Sequence, residues 1–190
     1  MALMQSQAPQ LGSLAPAFSL PGVDGKLYSL DSTGGSFAGA KALVVVFMCN
    51  HCPYVIAVQD RINELAREYA PRGVALIGIN PNDAVKYPDD CFEAMKERAR
   101  EKGYVFPYVR DDTQDVARAY GAVCTPDFFV YVNGGAGRFP LKYAGRLDDN
   151  WKDPAQVTRR EVAQALDAIL SGREPSGEQR PSMGCSIKWK

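Results

Sequence analysis

Two cysteines three positions apart, Cys49 and Cys52, lie between an apolar, β-branched run and an amphipathic helical pattern. The run from Leu43 to Met48 predicts a buried strand, and the helical pattern begins near Tyr54. This arrangement constrains the fold strongly, because it places two thiols at a strand-to-helix junction. Thiols at this spacing can form and break a disulfide with each other.

The start of the predicted helix is a favourable place for a thiolate. Backbone N–H groups in the first helical turn lack partners, and the positive end of the helix dipole lies there. We therefore expect Cys49 to be the nucleophile with a lowered pKa, and Cys52 to resolve a mixed disulfide. His51 is the only histidine, and as an imidazolium it would stabilise the Cys49 thiolate. The alternative is that His51 is a solvent-facing residue at a helix start.

Length and charge restrict the class of protein. The 190 residues suffice for one domain with a substantial core. The 22 basic and 22 acidic residues balance, which argues against nucleic acid or an acidic membrane surface as a partner. The amino-terminal segment lacks the pattern of a signal peptide, and no apolar segment approaches the length of a membrane span. We therefore expect a soluble cytoplasmic protein.

The chain has five cysteines, and three of them, Cys91, Cys124 and Cys185, have no close partner in the sequence. In a reducing compartment this pattern predicts thiols and not a structural disulfide framework. A zinc site is the alternative explanation for the closely spaced pair, with two further ligands from Cys124, Cys185 or His51. A structural zinc site usually shows a second closely spaced pair of ligands, which this sequence lacks.

Hydrophobic periodicity and turn residues predict an α/β layered fold, with parallel crossover units followed by an antiparallel hairpin. The predicted strands are 15–20, 26–30, 42–48, 74–79, 105–109, 128–132 and 141–144. The predicted helices are 54–69, 88–102, 113–120 and 153–170. We assign residues 1–170 to one domain. Residues 171–190 form a proline- and glycine-rich tail whose apolar end favours docking on that domain.

Three features together resemble the thioredoxin superfamily over about residues 10 to 170: the buried strand, the Cys-x-x-Cys pair, and Thr125-Pro126 before a later strand. The entry LAPAFSLPGVDGK and the extra strand and helix between about 75 and 109 resemble its redoxin branch. The segments CNHCPYV, TPDFFVY and GCSIKW resemble peroxiredoxin-like proteins within that branch. The resemblance implies a thioredoxin-like fold with an N-terminal β-hairpin, an inserted strand-helix unit, and a central mixed sheet flanked by helices.

The same resemblance implies that Pro126 is a cis proline opposite the sulfurs. The Thr125 backbone would then pair with an extended substrate segment, as in β-augmentation. The alternative is an ordinary trans proline that starts an edge strand. Cys124 and Cys185 are possible auxiliary thiols near the pair; otherwise Cys124 is a small buried hydrophobe and Cys185 a tail residue.

Differences between this sequence and the motifs of these families set the order in which we place the possible functions. Leu43 stands where thioredoxins carry a buried aspartate, and Cys49 stands where peroxiredoxins carry the threonine that activates peroxide. We therefore predict a thiol-disulfide oxidoreductase first, a thiol peroxidase second, and a non-catalytic binding protein third. The predicted partners are a protein or small-molecule disulfide and an electron-donating dithiol protein. No cofactor is predicted, because no glycine-rich phosphate loop precedes a helix.

Overall fold

The computed structural model describes residues 3–6 and 10–190. The strands are β1 (Leu3–Gln5), β2 (Phe18–Pro21), β3 (Leu27–Leu30), β4 (Ala42–Phe47), β5 (Val74–Asn80), β6 (Tyr108–Arg110), β7 (Cys124–Thr125), β8 (Asp127–Val132), β9 (Leu141–Gly145) and β10 (Met183–Ser186). The α-helices are α1 (Pro53–Tyr69), α2 (Phe92–Lys102), α3 (Asp115–Tyr120) and α4 (Glu161–Leu170).

A five-stranded mixed sheet in the order β6-β5-β4-β8-β9 forms the centre of the fold. β4 pairs in parallel with β5 and antiparallel with β8, and β5 pairs in parallel with β6. Every residue of β4 is buried, as expected for a continuous apolar strand with both faces covered. The predicted central mixed sheet is therefore confirmed.

Each face of this sheet carries its own hydrophobic cluster. Alternate β4 residues point to opposite faces, so Val44 and Val46 join one cluster while Leu43 and Val45 join the other. Helices α1, α2 and α4 contribute to the first cluster, and the hairpin β2–β3 and α3 contribute to the second. The predicted inner face of α1 is buried as expected. The outcome is a three-layer α/β architecture with the thioredoxin-like fold.

The predicted hairpins are confirmed. β2 pairs antiparallel with β3 near the amino terminus, and β8 pairs antiparallel with β9, with an irregularity between Val130 and Tyr131. The inserted strand-helix unit is formed by β5 and α2, and α2 ends at Gly103 in the left-handed conformation. Near the carboxyl terminus, β10 joins β1 and β7 in a three-stranded antiparallel sheet.

Several predicted elements begin later in the structure than predicted, the last helix by the most. The helix predicted from Asp153 begins only at Glu161, and Asp153 caps a separate 3-10 turn at 154–156. The reason is that Asp149 hydrogen-bonds Thr158 and the Arg159 carbonyl, which holds this segment extended. The strand predicted at 105–109 begins at 108. Proline at 107 lacks an N–H, and its carbonyl accepts from β5 instead.

Within the described residues, none of the helices combines the length and the apolar character that crossing a bilayer requires.

Candidate redox site

The two closely spaced cysteines lie at the carboxyl end of β4. Cys49 belongs to the short loop after the strand, and Cys52 is the N-cap residue of α1. The helix begins at this point because Pro53 occupies its first position, where the missing N–H costs nothing and the fixed φ suits a helix. Both cysteines are buried, with 2% exposure for Cys49 and none for Cys52.

Several polar groups surround the Cys52 sulfur. In its protonated form the thiol donates to the Thr125 carbonyl oxygen at 3.1 Å. The Cys49 thiol is the largest influence that lowers the pKa of Cys52 to about 5, against the opposing effect of burial. The Cys185 thiol and the backbone N–H groups of Val55 and Cys185 lower that pKa further. The pKa of Cys52 is thus shifted in the direction that favours its thiolate.

Cys49 has the opposite tendency. Burial raises its pKa well above the ordinary value, and the hydrogen bond to the Cys52 sulfur and the charge of Asp90 add to this effect. Its Sγ also lies 3.3 Å from Thr125 Oγ1. These directions are opposite to the expectation that Cys49 is the low-pKa thiol, and Cys52, not Cys49, is the N-cap residue of α1. The proline directly after Cys52 is the sequence signal for that N-cap.

His51 is paired with a carboxylate that the sequence analysis did not single out. Its Nδ1 lies 2.6 Å from Asp90 Oδ2, and its ring stacks on Tyr87 with centroids 5.3 Å apart. The hydrogen bond to Asp90 raises the pKa of His51 above its ordinary value, although burial opposes it. The imidazolium charge is thus directed at Asp90, and the structure shows no hydrogen bond between His51 and Cys49.

Asp90 is fully buried and organises the loop that carries the cysteines. It accepts hydrogen bonds from the Asn50 backbone N–H and the Asn82 side chain, both at 2.7 Å. Burial raises the pKa of Asp90, but His51, Asn82 and Asn50 outweigh it and bring the pKa below its ordinary value. The sequence analysis assigned this aspartate to the start of the second predicted helix. It lies instead in a 3-10 turn at Pro88–Asp90 that turns its carboxylate inward.

Asn50, which lies between the two cysteines, anchors their loop through its side chain. Its side-chain Nδ2 donates to the Asp89 carbonyl at 2.8 Å, and its Oδ1 accepts from the Tyr108 hydroxyl at 3.0 Å. These bonds join the cysteine loop to the turn before α2 and to β6. Asn50 therefore fixes the position of the loop between the two sulfurs.

The Thr125–Pro126 peptide bond is cis, as the resemblance implied. β7 ends at Thr125, and the Thr125 carbonyl and hydroxyl both contact the sulfurs of the pair. The edge of β7 is not open to a substrate, however. β10 occupies it in an antiparallel register that places Cys185 opposite Thr125 and Ser186 opposite Cys124. The predicted docking edge is thus covered by the chain's own tail.

All five cysteines are reduced, and three lie close together at the site. Cys185 is buried, and its thiol hydrogen-bonds the Cys52 sulfur. Burial, together with that bond, raises the pKa of Cys185 to about 12. Cys124 is buried beside the pair, with its sulfur 3.9 Å from the Pro126 carbonyl oxygen, and burial raises its pKa. Cys91 lies apart, as the N-cap residue of α2.

Asp127, directly after the cis proline, is a second buried acid that the sequence analysis missed. Neither of its carboxylate oxygens has a hydrogen-bond partner of normal geometry. Burial raises the pKa of Asp127 to about 7, and the nearby Ser182 and Ser6 hydroxyls only partly oppose this. Burial thus moves the titration of this side chain toward neutral pH.

One group of metal-ligand types lies together among the residues that the structure describes. Ligand atoms of Cys49, His51 and Asp90 are within 4.8 Å of one another. This set differs from the zinc site considered from the sequence, which required both closely spaced cysteines. The Asp90 oxygens already accept hydrogen bonds from the protein, so binding a metal would require breaking them.

Comparison with known proteins agrees with this geometry. The sequence profile of the AhpC/TSA family matches residues 11–138. The chain belongs to the AhpC/TSA family. No curated protein matches it. Membership of the AhpC/TSA family, together with the paired thiols beside a cis proline, supports a thiol-redox function.

Solved structures extend the comparison beyond the AhpC/TSA match. An uncharacterised conserved protein from Geobacillus kaustophilus is 43% identical, with a TM-score of 0.90 over 100% of this chain and 97% of that chain. A hypothetical protein from Sinorhizobium meliloti is 38% identical, with a TM-score of 0.89 over 98% of each chain. A thiol:disulfide interchange protein of the thioredoxin family from Chlorobium tepidum shares the fold, at 24% identity and a TM-score of 0.53 over 70% of this chain and 85% of that chain.

Proposed function

We propose that the protein is a thiol-disulfide oxidoreductase in which Cys49 and Cys52 are the exchanging pair. The observation that carries this proposal is that both sulfurs contact Thr125, at 3.3 Å and 3.1 Å, beside the cis Thr125–Pro126 peptide and at the N-terminus of α1. One sulfur favours the charged form and the other favours the protonated form. This division supplies a nucleophile and a proton-bearing partner within one buried site.

The pKa directions of the two cysteines indicate the order of the exchange steps. The Cys52 thiolate attacks a sulfur of the substrate disulfide, so that a Cys52–substrate disulfide forms and one substrate thiolate leaves. Cys52 then no longer carries the charge that helps to raise the pKa of Cys49. Cys49 gives up its proton to the departing thiolate and attacks Cys52, which releases the second substrate sulfur as a thiolate. The substrate gains two electrons, and the protein ends with a Cys49–Cys52 disulfide.

The reduced pair is regenerated by reversing this exchange with an electron-donating dithiol protein. The substrate is a protein or small-molecule disulfide. A protein substrate that pairs with Thr125 must first replace β10 on the edge of β7, because that edge is occupied. His51 acts as a positioning residue, since its bond to Asp90 ties the cysteine loop to the turn before α2. We place this activity in the reducing cytoplasm, where thiols without close partners persist.

A thiol peroxidase is the second candidate, favoured by the lowered pKa of Cys52 at the N-cap of α1. In that reaction the Cys52 thiolate takes one peroxide oxygen and becomes a sulfenic acid, while the other oxygen leaves as an alcohol or water. Attack by the Cys49 thiol would then form the disulfide and release water. Cys49 occupies the position of the peroxide-activating threonine, which ranks this reaction below disulfide exchange.

Two assays on the same variants test the proposal. Insulin reduction with dithiothreitol and peroxide consumption are compared for the wild type, Cys49→Ser and Cys52→Ser. Cys91→Ser is the matched control, because it removes a thiol that lies outside the pair. We expect insulin reduction to fall at least tenfold in both pair variants and to persist in the control. Loss of peroxide consumption alone would favour the peroxidase, and unchanged activity in all variants would favour a non-catalytic binding protein.

A further inference from the structure

The tail strand β10 fits closely against the edge of β7 that it covers. Its register places Gly184 and Cys185 against the Thr125–Pro126 peptide. A Cβ atom added at Gly184 would lie 2.0 Å from the Thr125 carbonyl oxygen. Only glycine permits so close an approach of the two backbones. β10 therefore occupies the position that an extended substrate segment would take beside the cis proline.

Contacts on the carboxyl-terminal side hold the strand in register. The Ile187 N–H donates to the Val123 carbonyl at 3.0 Å, and the Asp83 N–H donates to the Lys188 carbonyl at 2.8 Å. The Lys188 N–H in turn donates to Asn82 Oδ1 at 2.9 Å. The residues that follow β10 are thus fixed to the same end of the central sheet that carries the cysteine pair.

This register brings a third sulfur to Cys52. Cys185 pairs with Thr125 across the β7–β10 ladder, and its thiol and backbone N–H both act on the Cys52 sulfur to lower its pKa. The same sulfur lies 3.1 Å from the Thr125 carbonyl, the partner residue of Cys185 across the ladder. Cys52 consequently has two thiols as neighbours, Cys49 from its own loop and Cys185 from the tail.

We propose that Cys185 is a third exchanging thiol, and that β10 acts as an internal substrate strand that forms a Cys52–Cys185 disulfide. This inference rests on the proposed exchange function and adds a second step to it. Once substrate reduction has produced the Cys49–Cys52 disulfide, Cys185 attacks the Cys52 sulfur. The Cys49–Cys52 bond breaks, the Cys52–Cys185 bond forms, and the proton of Cys185 passes to Cys49.

The step is balanced without a further oxidant or reductant, because one disulfide replaces another. The change in charge at Cys52 provides a physical reason for this step. Cys52 loses its negative charge when it enters a disulfide, and that charge is one of the causes that raise the pKa of Cys185. After the step Cys49 holds the proton it receives, since burial and Asp90 both raise its pKa. The dithiol donor then reduces the Cys52–Cys185 bond and returns both thiols.

Peptide mapping tests the proposal directly. Trypsin cleavage after Lys41 and Arg61 leaves both pair cysteines in peptide 42–61, whereas Cys185 lies in peptide 174–188. A Cys49–Cys52 disulfide is therefore internal to one peptide, and a bond to Cys185 joins two peptides. The full chain is oxidised with hydroxyethyl disulfide, quenched in acid, alkylated and analysed by mass spectrometry. We expect the joined peptides in the wild type and their enrichment in Cys49→Ser, in which Cys52 has lost its usual partner.

Two glycine variants test whether the Cys52–Cys185 disulfide depends on the position of β10. Gly184→Ala forces β10 away from Thr125, and Gly177→Ala is the matched control because a Cβ there meets no atom within 4 Å. We expect the joined peptides to fall at least tenfold in Gly184→Ala, to remain in Gly177→Ala, and to be absent in Cys185→Ser. The internal disulfide should persist in all three.

The outcomes show separately whether Cys185 is an exchanging thiol and whether the proposed Cys49–Cys52 exchange takes place. A Cys49–Cys52 disulfide without joined peptides, in both the wild type and the Gly177→Ala control, would overturn the role of Cys185 and leave the proposed function intact. Absence of any disulfide at Cys52 would overturn both. Because the wild type alone gives a decisive result, a folding defect in Cys49→Ser does not prevent the test.

Discussion

Asp127 offers a quantitative test of the electrostatics around the cis proline. Its carboxylate is buried without a hydrogen-bond partner of normal geometry, and its pKa rises from 3.8 to about 7. A raised carboxyl pKa means that the folded state binds a proton more tightly than the unfolded state. The free energy of unfolding contributed by this group therefore falls as the pH rises from about 4 to about 7, and it is constant above that range.

The size of the effect follows from the two pKa values. The difference between about 7 and 3.8 corresponds to about 4 kcal/mol, at about 1.36 kcal/mol for each pKa unit. Asp127→Asn removes the titration and keeps a side chain of similar shape. We expect the stability of Asp127→Asn relative to the wild type to increase by about 4 kcal/mol between pH 4 and pH 8.

Urea unfolding of both proteins at several pH values measures this quantity. Other titrating groups, including His51 and Cys52, are present in both proteins and largely cancel in the difference. Asp60→Asn, which changes an exposed carboxylate on α1, is the matched control against which the pH dependence of Asp127→Asn is judged. The reasoning is refuted if the difference between Asp127→Asn and the wild type is flat across this pH range, or if it changes in the opposite direction.

Three further predictions concern the cysteine loop. Asp90→Asn should lower the pKa of His51, because the bond to Asp90 raises it; NMR titration of the chain's single histidine measures this directly. Ultraviolet absorbance of the thiolate should titrate with a midpoint near pH 5 in the wild type and lose that transition in Cys52→Ser, because the Cys49 thiol stabilises the Cys52 charge; a first transition near the ordinary thiol value would contradict this. Tyr108→Phe should lower the free energy of unfolding by about 1–3 kcal/mol in urea titration, since the Asn50 oxygen loses a buried hydrogen bond; an unchanged midpoint would show that the bond contributes little.

The strand β10 covers the edge of β7 beside the cis proline, and this limits how an extended substrate can reach the site. A thioredoxin-like site with an open strand beside the cis proline would accept an extended substrate immediately. Here the edge carries β10, and Cys52 has no exposed surface. Under the proposed function, exchange with a protein substrate requires local movement of the tail, so the stability of β10 on the domain would be a determinant of activity.

Local patterns in the sequence determined much of the fold. The continuous apolar run of β4 predicted a buried central strand, and the 3.6-residue period predicted α1 and its inner face. Turn residues predicted the hairpins, and glycine predicted the end of α2. These features are decided by residues within a few positions of one another, which is why the sequence reveals them. The Cys-x-x-Cys spacing likewise placed two thiols together before any tertiary contact was known.

Only the tertiary structure decided the chemistry around those thiols. The contact of His51 with Asp90 spans 39 positions, and that of Cys52 with Thr125 spans 73. No local pattern encodes such pairs, because they arise when separate elements meet at the end of the central sheet. The same holds for β10, which lies against Thr125 only after the chain has folded around the sheet. The pKa of a buried sulfur depends on all of its neighbours, so the opposite pKa directions of Cys49 and Cys52 emerge only in the folded chain.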